Sequence, residues 1–166
     1  MKWIKDKMIV WQLEKAIKSQ LISEVLFPVN PKRIAILAPD KETFLEAKET
    51  LRGIWGFNIR IIGGYFSEEA KDVEAITPAH FTVWGLPSDY FNEFMDEKLD
   101  FILVPTLHLN PYLRYLLLVN KCQFKMGFHS KENKPLLDFM IEKEGEILKP
   151  NLDKLMAYFK KIKEKC

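Results

Sequence analysis

His108 and His129 each follow a short apolar run, and Asp40 follows another. An imidazole that titrates near neutrality, set beside a carboxylate, can take up and return a proton. Asp40, His108 and His129 therefore form a candidate acid/base set. Thr106, Asn110 and Arg114 flank them with a hydroxyl, an amide and a guanidinium. Those groups suit the orientation of a sugar-like or small polar molecule, and together the six make a candidate ligand-binding set. Each also has a local reading. Asp40 stands where a helix N-cap stands, and its carboxylate can accept free backbone N–H groups. Asn110 precedes Pro111, the pairing that starts a helix. Arg114 is one turn into that helix and suits a surface ion pair. No residue is assigned a catalytic role.

Other chemistries lack their residues. The turn after the first apolar run reads LAPDKETF, without the glycines that let a backbone approach a pyrophosphate and with carboxylates that repel one. No phosphate-binding GxxxxGK[ST] loop, GxSxG elbow or HExxH spacing is present. Neither a metal nor a cofactor is expected. Cys122 and Cys166 are the only cysteines, which excludes a disulfide framework and a cysteine zinc site. A reducing compartment, most simply the cytoplasm, is expected.

The elements that would position these residues are legible as periodicity. RIAILAP (Arg33 to Pro39), FILV (Phe101 to Val104) and QFKMGF read as strands, as do FNIRIIGGY and HFTVWG (His80 to Gly85). LLDFMIE is a further candidate strand. Ser67 to Ile76 reads as a short helix or an acidic loop. Helices are expected over 3–25, after Asp40, after Ser88, from Pro111, and from a cap at Asn151 through Leu152, Leu155, Met156, Phe159 and Ile162. Strands that are apolar on both faces and alternate with helices predict an α/β fold. The expected architecture is a three-layer αβα, Rossmann-like, with a mostly parallel sheet of five or six strands and helices at both termini. In such sheets ligands bind at the carboxyl ends of the strands, where the six candidates fall.

The 166 residues suit one α/β domain, 32–166, preceded by an N-terminal helical arm, 1–28, hinged at Pro28 to Pro31. The charged first residues lack the form of a secretory leader, and no apolar run approaches the ~18 residues of a membrane span. Charge is uneven. Residues 1–33 hold seven basic against three acidic residues, and 149–166 hold six against two, while the middle is acidic. No nucleic-acid motif accompanies the basic ends, so no nucleic-acid partner is expected. Trp3 and Trp11 on the arm are candidates for an interaction surface with a protein partner or a second copy. A membrane surface is the lesser alternative for them.

The segment from His80 to Ser130 resembles the middle of a family of uncharacterised bacterial proteins of about this length. Its marks are an aromatic "F…WFGIP" segment, here Phe81 to Pro87, and a "FDLLIDLS" strand, here Phe101 to Val104. A third is "LRYIAALSKAKFKVG", here Leu113 to Gly127. The basic first helix and the last helix, Leu152 to Ile162, fit as well. The resemblance implies a fold and no activity. Where that strand carries an acid, this chain reads Leu103, Val104, Pro105, Thr106. A fainter similarity, at Asp40 and Met126-Gly127-Phe128, is to the N-terminal domain of heptosyltransferase-like glycosyltransferases. The expectation is a non-enzymatic cytoplasmic binding or interaction module. The alternatives are a small enzyme or ligand-binding protein acting at the strand ends, and a peripheral membrane protein held by the N-terminal helix.

Overall fold

The computed structural model describes residues 1–20, 24–69 and 71–166. In chain order the elements are α1 (Lys2–Lys18), β1 (Arg33–Ala38), α2 (Lys41–Trp55), β2 (Arg60–Phe66) and β3 (Ala75–Ile76). There follow α3 (Asn92–Asp96), β4 (Phe101–Val104), α4 (Pro111–Val119), β5 (Lys125–Phe128), β6 (Phe139–Ile141) and α5 (Leu148–Glu164). The six strands form one parallel sheet in the order β3-β2-β1-β4-β5-β6. The α/β class and the three layers expected from the strand pattern are those observed.

Alternation along the central strands sorts their side chains between two cores. Ile34, Ile36, Phe101, Leu103, Met126 and Phe128 meet α2 and α5 on one face. Ala35, Leu37, Ile102 and Val104 meet α1, α3 and α4 on the other. Strands buried on both faces need apolar residues at every position, which explains their unbroken runs. The chain works outward from β1 to β3, then returns to β4 beside β1. The loops after β1 and β4 thus leave the sheet in opposite directions, the arrangement that opens a crevice in folds of this order.

Helix α1 packs on α4. Ile9 and Leu13, one turn apart, are fully buried, and burial of each stabilises this packing by roughly 1.5–3 kcal/mol. Asp6 Oδ1 accepts from Tyr112 Oη at 2.6 Å, and Lys5 Nζ donates to the Pro78 carbonyl at 2.9 Å. Gly85, at φ +76°, lets the turn at 82–86 touch the helix backbone; a Cβ there would lie 2.7 Å from Ile9 N. The opposite side of α1 stays in solvent, with Trp3 62% and Trp11 50% exposed. Lys7 and Lys15 lie over those two rings. No helix of the described residues is long and apolar enough to cross a membrane.

Four local expectations are corrected. Helix α1 ends at Lys18 rather than 25, and residues 21–23 lie outside those described. HFTVWG is not a strand. Thr77 caps a 3-10 turn at Pro78–His80, and Phe81 then makes a single antiparallel bridge with Pro87 across a tight turn. The strand in this region is instead Ala75–Ile76, inside the segment read as helix or loop. Asn151 does not cap α5, which begins at Leu148. Its buried side chain reaches back to Glu144 N and O and to Ile147 O, each at 2.8 Å.

Candidate functional site

The six candidates lie at the carboxyl ends of β1, β4 and β5, but they do not assemble into one constellation. Asp40 caps α2 through Thr43 N, which donates to its Oδ1 at 2.8 Å. Asn110 caps α4, its Oδ1 accepting from Tyr112 N at 2.8 Å and Leu113 N at 3.4 Å. Thr106 Oγ1 accepts from His108 N at 3.3 Å and tightens the loop after β4. The two histidines take separate partners. His108 Nδ1 lies 2.9 Å from Glu132 Oε2, and His129 Nδ1 lies 3.0 Å from Glu142 Oε1. Arg114 Nη1 is 3.5 Å from the same Glu132 oxygen. The set Asp40, His108 and His129 therefore shares no hydrogen bond among its members. Glu132 serves both His108 and Arg114, and the His108 contact is the main cause that holds its carboxyl below the usual carboxylate range.

The segment after β5 closes this end of the sheet. Asn133 is fully buried, and its Nδ2 donates to the Thr106 and Phe128 carbonyls, both at 2.9 Å. Ser130 Oγ donates to the Leu107 carbonyl at 2.8 Å and accepts from Asn133 N at 3.0 Å. The loops after β4 and β5 are thereby tied to each other. Ser130, Glu132 and Asn133 were missed by sequence reasoning. The only signal for them was the run HSKENKP, in which Ser130 and Asn133 have the spacing of a side-chain-capped turn. Among the described residues no group of three metal-ligating side chains is found.

A second location has the opposite character. On its outer side β2 pairs with β3 only at Tyr65 and Phe66. Below those pairs a cavity of about 310 Å³ opens beside Ile61, Ile62 and Gly63. Ile76, Phe91 and Phe94 make its apolar wall, and Lys48 and Glu93 stand at its rim. That volume is at the lower end of ligand-pocket sizes.

The rim is built by contacts of its own. Lys48 pairs with Glu74 at 3.6 Å, and Arg60 pairs with Glu93. Tyr90 Oη donates to the Val73 carbonyl at 2.9 Å, and its ring stacks on His80 at 3.7 Å. Burial pushes the His80 imidazole down from its ordinary pKa. The segment leading into β3 is held by Asp72, which accepts from Tyr65 Oη and pairs with Lys41. The Tyr65 hydrogen bond, then the Lys41 contact, draw the Asp72 carboxyl down to about 2. Gly64 permits the approach of that segment, because a Cβ there would lie 2.1 Å from the Glu74 carbonyl oxygen. None of these cleft residues belongs to a motif, and Gly63-Gly64 lies inside β2, which runs on to Phe66.

The sequence pattern of a family of unknown function, DUF6913, matches residues 5–162. The chain belongs to that family. The match runs from α1 to α5, so the strand-end cluster and the β2 cleft both fall within the DUF6913 region. No curated protein and no solved structure gave a match.

Proposed function

We propose that this DUF6913 protein is a non-catalytic binding module that takes its partner in the cleft flanking β2. The observation that carries the reading is the cavity of about 310 Å³ beside an incompletely paired strand. The polar groups at the strand ends support it by contrast. Asp40 and Asn110 are occupied as helix caps, and His108 and Arg114 converge on Glu132. His108 and His129 take separate carboxylates, Glu132 and Glu142, so the candidate bases are not gathered into one acid/base set. The free thiols of Cys122 and Cys166 fit a reducing compartment, so we place the module in the cytoplasm.

A nitrogen–proton NMR screen with a mixed set of small sugars, nucleotides and apolar fragments tests this reading. The expected result is amide shifts confined to Ile61, Val73, Phe94 and their neighbours, with Thr106, His108 and His129 silent. Shifts centred on His108 and Glu132 would overturn it in favour of a strand-end ligand site.

The solvent face of α1 supports a second contact, with a protein partner or another copy of the chain. Trp3 and Trp11 are exposed there beneath lysines, and aromatic residues exposed together suit an interface. Sedimentation velocity on the wild type and on a Trp3→Ser, Trp11→Ser double variant tests self-association. Concentration-dependent association that is lost in the variant is the expected result.

A further inference from the structure

We propose that the occupant of the β2 cleft is an extended polypeptide segment, added to the sheet edge in line with β3. The inference rests on the cleft being the binding surface, and it specifies the chemistry of the partner. In a parallel ladder each residue directs its N–H and C=O to one neighbour, and successive residues alternate sides. Arg60 N donates to Lys32 O at 2.7 Å, toward β1. Tyr65 N donates to Glu74 O at 3.1 Å, toward β3. Arg60, Ile62 and Gly64 therefore serve β1, whereas Ile61, Gly63 and Tyr65 face outward. Strand β3 reaches only Tyr65 and Phe66. Among the described residues the outward main-chain groups of Ile61 and Gly63 have no strand partner, and both residues line the cavity.

Two such residues present donors and acceptors repeating every roughly 6.6 Å, the period of an extended chain. A polypeptide backbone matches that repeat with its own alternating groups, which is the basis of strand addition. An added strand would run about 4.8 Å from β2, on the side where the cavity opens. Its alternate side chains would point to opposite faces of the sheet. One set meets the apolar wall of Ile76, Phe91 and Phe94, and the other meets the Lys48 side. The segment that fits is therefore short, with apolar residues at alternate positions and polar ones between them. Its length is set by the stretch from Arg60 to Gly64, which β1 pairs on one side and β3 does not reach on the other.

The rim charges define the competing role. Charged side chains beside a free edge commonly keep other strands away, and Lys48, Arg60 and Glu93 stand in that position. Ile62 and Phe94 line the cavity together with Lys48 and Glu93.

The test uses the full-length protein and random heptapeptides displayed on phage. Selected sequences are expected to alternate apolar and polar residues. The synthetic peptide should protect the amides of Ile61 and Gly63 from hydrogen exchange. Methylating the peptide's main-chain nitrogens at alternate positions then separates strand addition from side-chain recognition without altering the protein. One register of methylation should weaken binding by about tenfold or more, the loss expected when main-chain hydrogen bonds are removed, while the other register is tolerated. Equal tolerance of both registers would overturn strand addition. An Ile61→Pro variant, which removes an outward N–H and leaves the β1 ladder paired, should show a comparable loss. If no peptide is selected but apolar fragments shift the cleft amides, the binding-module reading stands and this inference falls. If neither peptides nor fragments touch the cleft, both fall.

Discussion

The carboxyl ends of β4 and β5 and the flank of β2 are the two candidate ligand regions described above, and they are built in opposite ways. The strand ends are rich in polar side chains, and most of those have partners within the chain, with Arg114 Nε and Asn133 Oδ1 buried without one among the described residues. Asn133 alone holds two carbonyls, one from the loop after β4 and one from the end of β5. The β2 flank has an apolar wall and main-chain groups that no strand pairs among the described residues. The difference shows that polarity at a strand end does not by itself make a site. A cluster of hydrogen-bonding residues can be the means by which a fold closes its own crevice. Apolar residues carrying no motif can surround the place left open.

The largest effect should come from Asn133→Ala. It removes two buried donors and leaves the Thr106 and Phe128 carbonyls without them, a loss of about 2–4 kcal/mol in urea denaturation. A loss below about 1 kcal/mol would mean that the strand ends are not closed by this amide. Next in size is Gly64→Ala. Its Cβ would meet the Glu74 carbonyl at 2.1 Å, so β3 must shift, at about 1–3 kcal/mol. The cleft should widen with it, and increased hydrogen exchange at Tyr65 and Ala75 is the readout.

Acid should act on the β2 flank through Asp72. Its folded pKa, about 2, lies below the ordinary 3.8 of an aspartate. The stabilisation is therefore fully present above pH ~4 and is lost as pH falls from there through about 2. Wild type and Asp72→Asn should differ in denaturation midpoint at neutral pH and converge across that window. A constant difference down to the lower limit would place the Asp72 effect outside its charge.

The smallest effect is expected at Glu132. The residue is 41% exposed, so solvent screens its contacts with His108 and Arg114. Glu132→Gln should cost no more than about 1 kcal/mol at neutral pH. Its carboxyl is also lowered in the folded protein. The small stabilisation is then present above the ordinary glutamate pKa and fades as pH falls through the folded value. A change well above 1 kcal/mol would raise this pair from an accessory contact to a principal closure of the strand ends.

The strands and caps were legible because their causes are local. Residues 34–38 of β1 and Phe101–Val104 are unbroken apolar runs because a two-sided core leaves them no polar position. Asp40 and Asn110 cap their helices with hydrogen bonds that span at most three residues. HFTVWG misled because its aromatic alternation fits a strand equally well, whereas in the fold Phe81 packs on Phe91 and Tyr112 beside a tight turn. Strand β3, two residues long, is too short to show a period. Asn151 has the right residue type for a cap, but its amide closes the loop before α5 from inside the first turn.

From its sequence alone this protein determined its class, its central strands, the starts of α2 and α4 and the side of the sheet where polar residues gather. All of these follow from preferences acting over a few neighbouring residues. Tertiary structure decided that His108 meets Glu132 while His129 meets Glu142, that Asn133 fills the space between two loops, and that β2 keeps part of its edge unpaired. Those outcomes depend on how distant segments are brought together by burial of the two cores. Hydrogen-bond partners and unpaired edges are set by that assembly, and no local pattern in the chain encodes them.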